Sequence, residues 1–339
     1  MFEEMKKDET PRRPLFAAEP TPARKVAEGA MLVASAVIFG LSASYLPFVW
    51  LIALFLWPVP LALLVRRFGP GFGLAGILLT AIILSLFIGP VGAFSMLINM
   101  GGVGFWYGYA ARRGIKPWLV IVVGVLISAA GMVALLALSS AVAGFGLADF
   151  STQVHEFVQF YVDTMQKNGK LAPVLGDLTV AEYTERLEAY VLSFMPASLI
   201  FVSMLEGGIS YALNTYIFRR LGYAVEKLPP FTEWRLPWYT LWGLIIALVC
   251  YLINRQAPME VLQLIATNVL YIYQPLLMLA GLSFFYWQAF FWNMRWMIFM
   301  MLILIVFAFQ LVGPALIMVG LVDSLFDVRQ VMRKYNKQN

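Results

Sequence analysis

Four polar side chains share one face of an otherwise apolar run: Ser203, Glu206, Ser210 and Asn214. Their spacings of three, four and four residues place them together on a helix. A carboxyl group in this setting could bind a cationic or polyhydroxyl ligand, or take up a proton. The competing interpretation is a hydrogen-bonded packing residue at a helix interface, where Gly207 and Gly208 permit close approach. The sequence leaves both interpretations open.

The run from Leu199 to Phe218 can enter a membrane in spite of its carboxyl group. An ionisable residue at the bilayer centre costs about 2.5 to 3.5 kcal/mol on insertion scales. The run contains nine Leu, Ile, Phe or Val residues, and each returns about 0.3 to 0.6 kcal/mol. The two contributions roughly cancel. Asn99, in an earlier apolar run, could face the same cavity or serve helix packing.

The composition predicts an all-α integral membrane protein, a polytopic bundle of eight or nine transmembrane helices. Of the 339 residues, 61% are hydrophobic and 13% are charged, whereas soluble domains have about a quarter charged. The net charge of +5 comes from short clusters beside apolar runs, which argues against nucleic-acid binding. Cys250 is the single cysteine, so the chain has no internal disulfide and no cysteine metal site.

The alternation of charge predicts orientation and five regions. Basic clusters at Arg66-Arg67 and Arg112-Arg113 alternate with turns that lack Lys and Arg, which favours a cytoplasmic N-terminus in a bacterial inner membrane. A signal peptide is the competing interpretation of the N-terminus. The regions are a disordered cytosolic leader (1–28), a six-helix bundle (29–218) with an extracytoplasmic insertion (147–190), a cytosolic interfacial linker (219–236), C-terminal membrane helices (237–322) and a basic tail (323–339).

The side on which the tail lies is harder to predict. Nine apolar runs would place the tail outside, although it contains Arg329, Arg333, Lys334 and Lys337. Eight crossings with one re-entrant segment would place both ends in the cytoplasm, which is the arrangement we favour. Asp323, Asp327 and Arg329 are interpreted as exposed salt bridges at a helix end. In the insertion, an amphipathic helix is expected near His155, which is interpreted as a surface residue.

Two stretches resemble known membrane families. Trp57 to Leu64, Gly69-Pro70-Gly71 and Gly89-Pro90 resemble the N-terminal half of S-components, the substrate-binding subunits of energy-coupling-factor vitamin transporters. The resemblance implies a partner-contact face in the first helix, at Ala27, Ala30 and Ala34. With Phe231 to Pro237 and the stretch 320–329, the chain from about 27 to 333 is similar to the YybS-like family of bacterial membrane proteins. That family implies no activity, and rod-shape proteins of the MreD type resemble the same six-helix plan.

Enzyme motifs are absent from the sequence. It has no phosphate-binding loop, no His-Glu-x-x-His and no Gly-x-Ser-x-Gly, so we expect no catalytic residue, no metal and no cofactor. We expect a solute-binding or membrane subunit of a transport assembly, in contact with lipid, with membrane or ATPase partner subunits and a small-molecule solute. The alternative is an MreD-like scaffold that recruits partners through Trp234 and Arg235. A cavity lined by Glu206, Asn214 and Asn99 would favour transport, and a dry bundle would favour the scaffold.

Overall fold

A computed structural model describes residues 21–143, 147–226, 228–257, 259–294 and 296–338. The first twenty residues of the predicted leader lie outside this part of the chain. The described residues contain fifteen α-helices, short 3₁₀ and π turns, and no strand. The α-helices are α1 (Pro22–Tyr45), α2 (Trp50–Leu56), α3 (Pro58–Phe68), α4 (Pro70–Met96), α5 (Gly102–Arg113), α6 (Pro117–Ala143), α7 (Leu147–Lys167), α8 (Ala172–Leu175), α9 (Val180–Ser193), α10 (Met195–Arg220), α11 (Leu241–Gln256), α12 (Glu260–Phe291), α13 (Trp296–Phe307), α14 (Phe309–Phe326) and α15 (Val328–Gln338).

Eight helical segments in the described residues are long and apolar enough to cross a membrane. They are Pro22–Tyr45, Leu51–Phe68, Pro70–Arg113, Pro117–Leu138, Met195–Arg220, Trp238–Gln256, Glu260–Phe291 and Phe309–Phe326. Lipid offers no hydrogen-bond partners to the backbone, so segments of this length and composition satisfy it internally as helices. The prediction of an all-α polytopic membrane protein is confirmed.

One of these segments is long enough to cross twice. Pro70–Arg113 has 44 residues, about 66 Å of helix, against a hydrocarbon thickness of about 30 Å. Gly89 divides it, with φ 77° and ψ 161°, a conformation that glycine adopts without the steric cost of a Cβ. Pro90 follows and cannot donate a backbone hydrogen bond. The Gly89-Pro90 pair therefore separates two arms.

The last apolar run is divided as well. Ala308 leaves the helical conformation at φ −132° and ψ 33°, so α13 ends one residue before it and α14 begins one residue after it. The 12 residues of α13 span about 18 Å. That length is too short for a crossing of about 30 Å, whereas α14 is one of the eight candidate spans.

The chain divides into two compact units, each with its own packing. The first unit is Met1–Ala148 with Val202–Leu228, and the second is Asp149–Phe201 with Pro229–Asn339. The boundary falls inside α10, whose first residues belong to the second unit.

Glycine allows the helices of the first unit to pack closely. A Cβ added at Gly104 on α5 would lie 2.9 Å from the Pro58 carbonyl oxygen on α3, which is closer than carbon and oxygen approach. The core beside this crossing contains Leu61, Leu64 and Val103, all fully buried. Small residues on one helix thus bring the two backbones together, as is common in membranes.

The second unit begins with a packed pair of helices, α7 and α9. Val154, Val158 and Val162 on α7 are buried and form a cluster with Leu171, against which side chains of α9 pack. The valine face of this helix is thus covered by protein, whereas Phe157 and Tyr161 are exposed. His155 is surface-exposed, and its Nδ1 lies 2.8 Å from Glu188 Oε2.

Helices α11, α12 and α14 form the membrane part of the second unit. A Cβ added at Gly281 on α12 would overlap the Leu316 carbonyl oxygen on α14, and one added at Gly320 would overlap the Leu277 carbonyl oxygen. The crossing of α12 and α14 therefore requires glycine on both helices. Asn268 on α12 accepts a hydrogen bond from the Ala197 backbone N–H at 2.7 Å, which satisfies a donor in the first turn of α10.

Candidate functional site

The polar stripe of α10 is buried inside the first unit. Ser203, Glu206, Ser210 and Asn214 lie on one face of α10, and none of them is more than 3% exposed. Burial of a polar group is costly unless it is hydrogen-bonded. The partners of each side chain therefore decide what the stripe can do.

Glu206 has one oxygen bound and one oxygen unused. Its Oε2 accepts a hydrogen bond from Ser128 Oγ on α6 at 2.7 Å. Its Oε1 is buried and has no hydrogen-bond partner among the described residues. Asn99 is a further polar side chain that interacts with this carboxyl group. Three helical segments thus bring a carboxyl, a hydroxyl and an amide together, and the carboxyl retains a free acceptor.

Asn99 is presented by an irregular turn. Residues Leu97–Gly101 form a π-helical turn between α4 and α5, a feature often found at functional sites. A Cβ added at Gly131 on α6 would lie 2.8 Å from Asn99 Cα. The absence of a side chain at Gly131 therefore lets this turn approach α6, which also carries Ser128.

The backbone of α10 beside Glu206 is fixed by a tyrosine. Tyr107 on α5 is buried, and its hydroxyl donates a hydrogen bond to the Gly207 carbonyl oxygen at 2.6 Å. A Cβ added at Gly207 would lie 2.9 Å from Val125 Cγ2 on α6. Tyr107 and Gly207 therefore hold α10 in close contact with its neighbours, as the packing interpretation of this glycine requires.

The cavity nearest to the stripe is small. It lies beside Asn214 and is also lined by Tyr107, Tyr211 and Phe218. It offers about 20 Å³ to the centre of a water-sized sphere, which is room for about one water molecule. Asn214 Nδ2 donates within its own helix to the Ser210 carbonyl oxygen at 2.8 Å. Neither this cavity nor a larger one of about 500 Å³ that is lined by α7 and α9 contains Glu206 or Asn99 in its lining.

Comparison with known proteins gives a family. The family described as "Predicted membrane protein (DUF2232)" matches residues 33–324. The chain belongs to this family. The chain is also similar to the "Uncharacterized protein YybS" of Bacillus subtilis (strain 168), with 26% identity over 271 residues, covering 78% of this chain and 84% of the relative. No solved structure matches, so the likeness of the first six helices to S-components stays a prediction.

The second unit of this family member contains a buried ion pair that the sequence interpretation placed at the surface. Asp323 is 1% exposed and Arg329 is 4% exposed, and Arg329 Nε donates to Asp323 Oδ2 at 2.9 Å. The prediction of an exposed cluster is therefore wrong for these two residues. The reason is a reversal of the chain: Asp327, with φ 48°, ends α14 in the left-handed conformation and directs Arg329 back towards α12.

Arg329 uses its whole guanidinium group. Its remaining N–H groups donate to the carbonyl oxygens of Thr232, Trp234 and Ala280 and to Ser283 Oγ. Burial lowers the pKa of the guanidinium from its ordinary value, and the Asp323 carboxylate opposes that shift. Arg329 thus attaches the linker before α11 to α12 and α14.

The residues predicted to contact partners are placed differently in the two units. In the first unit, Ala27, Ala30 and Ala34 are exposed on α1. In the second unit, Trp234 packs against Phe231 and donates from Nε1 to the Pro229 carbonyl oxygen at 2.9 Å. Arg235 is exposed and pairs with Asp327. A role for any of these residues in partner binding stays a prediction.

Sequence reasoning missed Ser128 and Tyr107. Ser128 lies in an apolar helix of 27 residues without a polar stripe, and Tyr107 follows two other aromatic residues in a run that also contains three glycines. Neither pattern distinguishes a hydrogen-bonded side chain from one that faces lipid. The only available signal was Glu206 itself, since a buried carboxyl requires donors from neighbouring helices.

Proposed function

We propose that this protein is a non-enzymatic membrane subunit of a transport assembly and that Glu206 takes up and releases a proton within it. One observation supports this: a deeply buried carboxyl group has an oxygen with no hydrogen-bond partner in the part of the chain that the structure describes. Ionisable side chains inside membrane segments are commonly proton relays or ion pathways.

The size of the cavity supports a proton over an organic solute. Space for about one water molecule beside Asn214 does not accommodate a vitamin-sized ligand, for which pockets are about 300 to 1,000 Å³. We therefore propose that Ser203, Ser210, Asn214 and Asn99 form the polar surroundings of the carboxyl group. A transported solute would bind to a partner subunit.

Infrared difference spectroscopy of the purified protein tests the proton site. Spectra recorded across a pH series should contain the carbonyl band of a protonated carboxylic acid that Glu206→Gln lacks. Glu188→Gln, which changes a partly buried carboxyl of the second unit, serves as the matched control and should retain the band. Identical pH-dependent spectra for wild type and Glu206→Gln would contradict a proton site at this residue.

The proteins that co-purify with the chain test the proposed transport assembly. Purification from native membranes, followed by mass spectrometry, should recover a nucleotide-hydrolysing subunit with the wild-type chain. Glu206→Gln should recover the same subunit while losing proton-coupled activity of the reconstituted assembly. Recovery of neither an ATPase nor a bound solute would contradict a role in transport.

An MreD-like scaffold is the second candidate. The small cavity and the tight contact of Gly207 with α6 favour it, because packing alone would account for a dry bundle. For a scaffold, Glu206→Gln and Glu206→Ala should lower the folded yield together and leave every proton-dependent signal unchanged. This outcome separates the two candidates.

We also propose a bacterial inner membrane and a cytoplasmic N-terminus. Labelling of single cysteines in intact cells tests the orientation, after Cys250→Ala removes the native thiol. A thiol reagent that cannot cross the membrane should modify Lys170→Cys in the insertion. It should modify Lys116→Cys, between α5 and α6, only after permeabilisation. The reverse pattern would invert the proposed orientation.

A further inference from the structure

Helix α15 has two different faces. Arg329 is buried and Met332 is partly buried on the inner face, whereas Gln330, Arg333 and Lys334 are exposed. Val331 is also exposed, at 61%. Long cationic side chains can reach phosphate headgroups while a neighbouring exposed apolar side chain stays at the acyl boundary, so the exposed side of α15 is compatible with a membrane interface.

The position of α15 is fixed at its first turn. Arg329 is the second residue of the helix, and its hydrogen bonds to the linker, to α12 and to Asp323 use every N–H group of the guanidinium. A rigid planar fork with this many partners permits one orientation. The exposed cations of α15 are therefore held in place relative to α12 and α14.

Aromatic side chains surround the end of the unit where α15 lies. The Arg333 guanidinium is 5.9 Å from the centroid of the Trp287 ring on α12. Two aromatic residues at helix ends are also exposed. Trp292, five residues after Trp287, is 50% exposed, and Phe326, two residues before α15, is 70% exposed. Exposed Trp and other aromatic residues at helix ends mark the headgroup level of a bilayer. The two exposed cations thus lie at the end of the helices where headgroups are expected.

Acidic side chains nearby do not neutralise these two cations. Asp323 pairs with Arg329, and Asp327 pairs with Arg235. Within the described part of the chain, Arg333 and Lys334 form no ion pair. Their charge therefore remains available to an external anion.

We propose that the exposed side of α15 binds the headgroup of an anionic phospholipid, with Lys334 and, from the edge beside Trp287, Arg333 contacting the phosphate, and with Val331 entering the acyl boundary. The exposed Val331 between cations favours a lipid over a soluble acidic partner, because only a lipid provides both an anion and an apolar phase. The proposal is independent of any role of Glu206.

Binding of labelled phosphatidylglycerol and phosphatidylcholine to the full-length protein in neutral detergent tests the proposal. Wild type should prefer phosphatidylglycerol. The double variant Arg333→Gln/Lys334→Gln should bind it about 30-fold more weakly, from about five-fold per cation, with unchanged phosphatidylcholine binding. Lys170→Gln/Arg255→Gln is the matched control, because it removes two exposed cations elsewhere in the same unit and should leave the preference unchanged.

Three outcomes would overturn the proposal. The first is equal binding of the two lipids by wild type, and the second is an equal loss in the two double variants, which would indicate net charge alone. The third is a short soluble polyglutamate peptide that competes as well as phosphatidylglycerol, which would identify an acidic protein as the partner. All four substitutions are at exposed side chains, so folding of the variants, checked by thermal unfolding, should match wild type.

Discussion

The two units bury their charged side chains in different ways: the first buries Glu206, and the second buries Asp323 and Arg329 as a pair. Arg329 in the second unit has a carboxylate partner, and all of its N–H groups are hydrogen-bonded. Glu206 in the first unit has the Ser128 hydroxyl and the Asn99 amide beside it, and among the described residues no cation pairs with it. A guanidinium with every N–H bonded has no remaining capacity for a ligand and serves the fold. Asp323 and Glu206 each have one oxygen without a partner among the described residues, but only Glu206 lacks a cation beside it and so retains the capacity to change its protonation.

Arg329→Met should have the largest effect on stability. It leaves Asp323 buried without its cation and removes the donors of four further acceptors, so we expect a loss of about 3 to 5 kcal/mol in the free energy of unfolding. Denaturant unfolding followed by tryptophan fluorescence measures the loss. Arg235→Gln, which breaks the exposed pair with Asp327, should cost at most about 1 kcal/mol.

The double variant Asp323→Leu/Arg329→Met distinguishes the origin of that effect. Removal of both charges should recover part of the loss, because no uncompensated charge remains. A double variant as unstable as Arg329→Met would mean that the carbonyl contacts, and not the ion pair, dominate. Equal stability of Arg329→Met and wild type would contradict the structural role of Arg329.

Ser128→Ala tests the hydrogen bond of Glu206 in the first unit. It removes the hydroxyl donor from the Glu206 carboxyl group, and an unsatisfied buried acceptor costs about 1 to 3 kcal/mol. The same substitution in a Glu206→Leu background should cost less, since no carboxyl remains to be satisfied. Ser95→Ala is the control, because Ser95 Oγ is exposed and donates within its own helix. Equal costs of Ser128→Ala in both backgrounds would show that Ser128 does not act through Glu206.

Sequence periodicity predicted the stripe of α10 and failed for its partners. Spacings of three and four residues are sufficient to place Ser203, Glu206, Ser210 and Asn214 on one face, because helix geometry fixes that relation. The contact with Ser128 depends on how α6 packs, which a uniformly apolar run does not encode. The π-helical turn that carries Asn99 has no signal in the sequence either.

The membrane segments were predictable because hydropathy and length determine them. The burial of Arg329 was not, because its cause is a left-handed residue. Charged residues after an apolar helix are ordinarily exposed at the interface. Asp327, with its positive φ, reverses the chain there; Asp is several-fold enriched in that conformation, but few non-glycine residues adopt it. A tertiary contact therefore overrides the local pattern.

Tyr107→Phe tests how firmly α10 is held beside Glu206. Loss of the 2.6 Å hydrogen bond to the Gly207 carbonyl oxygen should cost about 0.5 to 1.5 kcal/mol, measured by thermal unfolding in detergent. Tyr211→Phe is a suitable control, since its hydroxyl is 3.5 Å from the Glu226 carbonyl oxygen, a weak contact. If Tyr211→Phe has the larger effect, Tyr107 does not fix the site.

Glu182 is an exposed carboxyl that serves as a reference for Glu206. Its substitution is expected to have the smallest effect on stability. The Thr179 backbone N–H donates to its Oε2 at 2.8 Å and the Thr179 hydroxyl at 2.9 Å, and these bonds lower the pKa of Glu182. A lowered pKa in the folded state means that the ionised group stabilises the fold above its unfolded pKa of about 4.3. That contribution is lost as pH falls through the lower folded pKa.

The melting temperature of Glu182→Ala should therefore be slightly below that of wild type at neutral pH, and the difference should diminish on acidification. Glu185→Ala, on the same helix and outside the cap, should differ from wild type by a smaller amount at neutral pH. A difference between Glu182→Ala and wild type that is constant across the acid range would show that ionisation of Glu182 does not support the cap. Glu182, an exposed carboxyl with two hydrogen bonds from Thr179, thus gives a reference stability effect. The effect of the buried Glu206, which has one unused oxygen, can be compared with it.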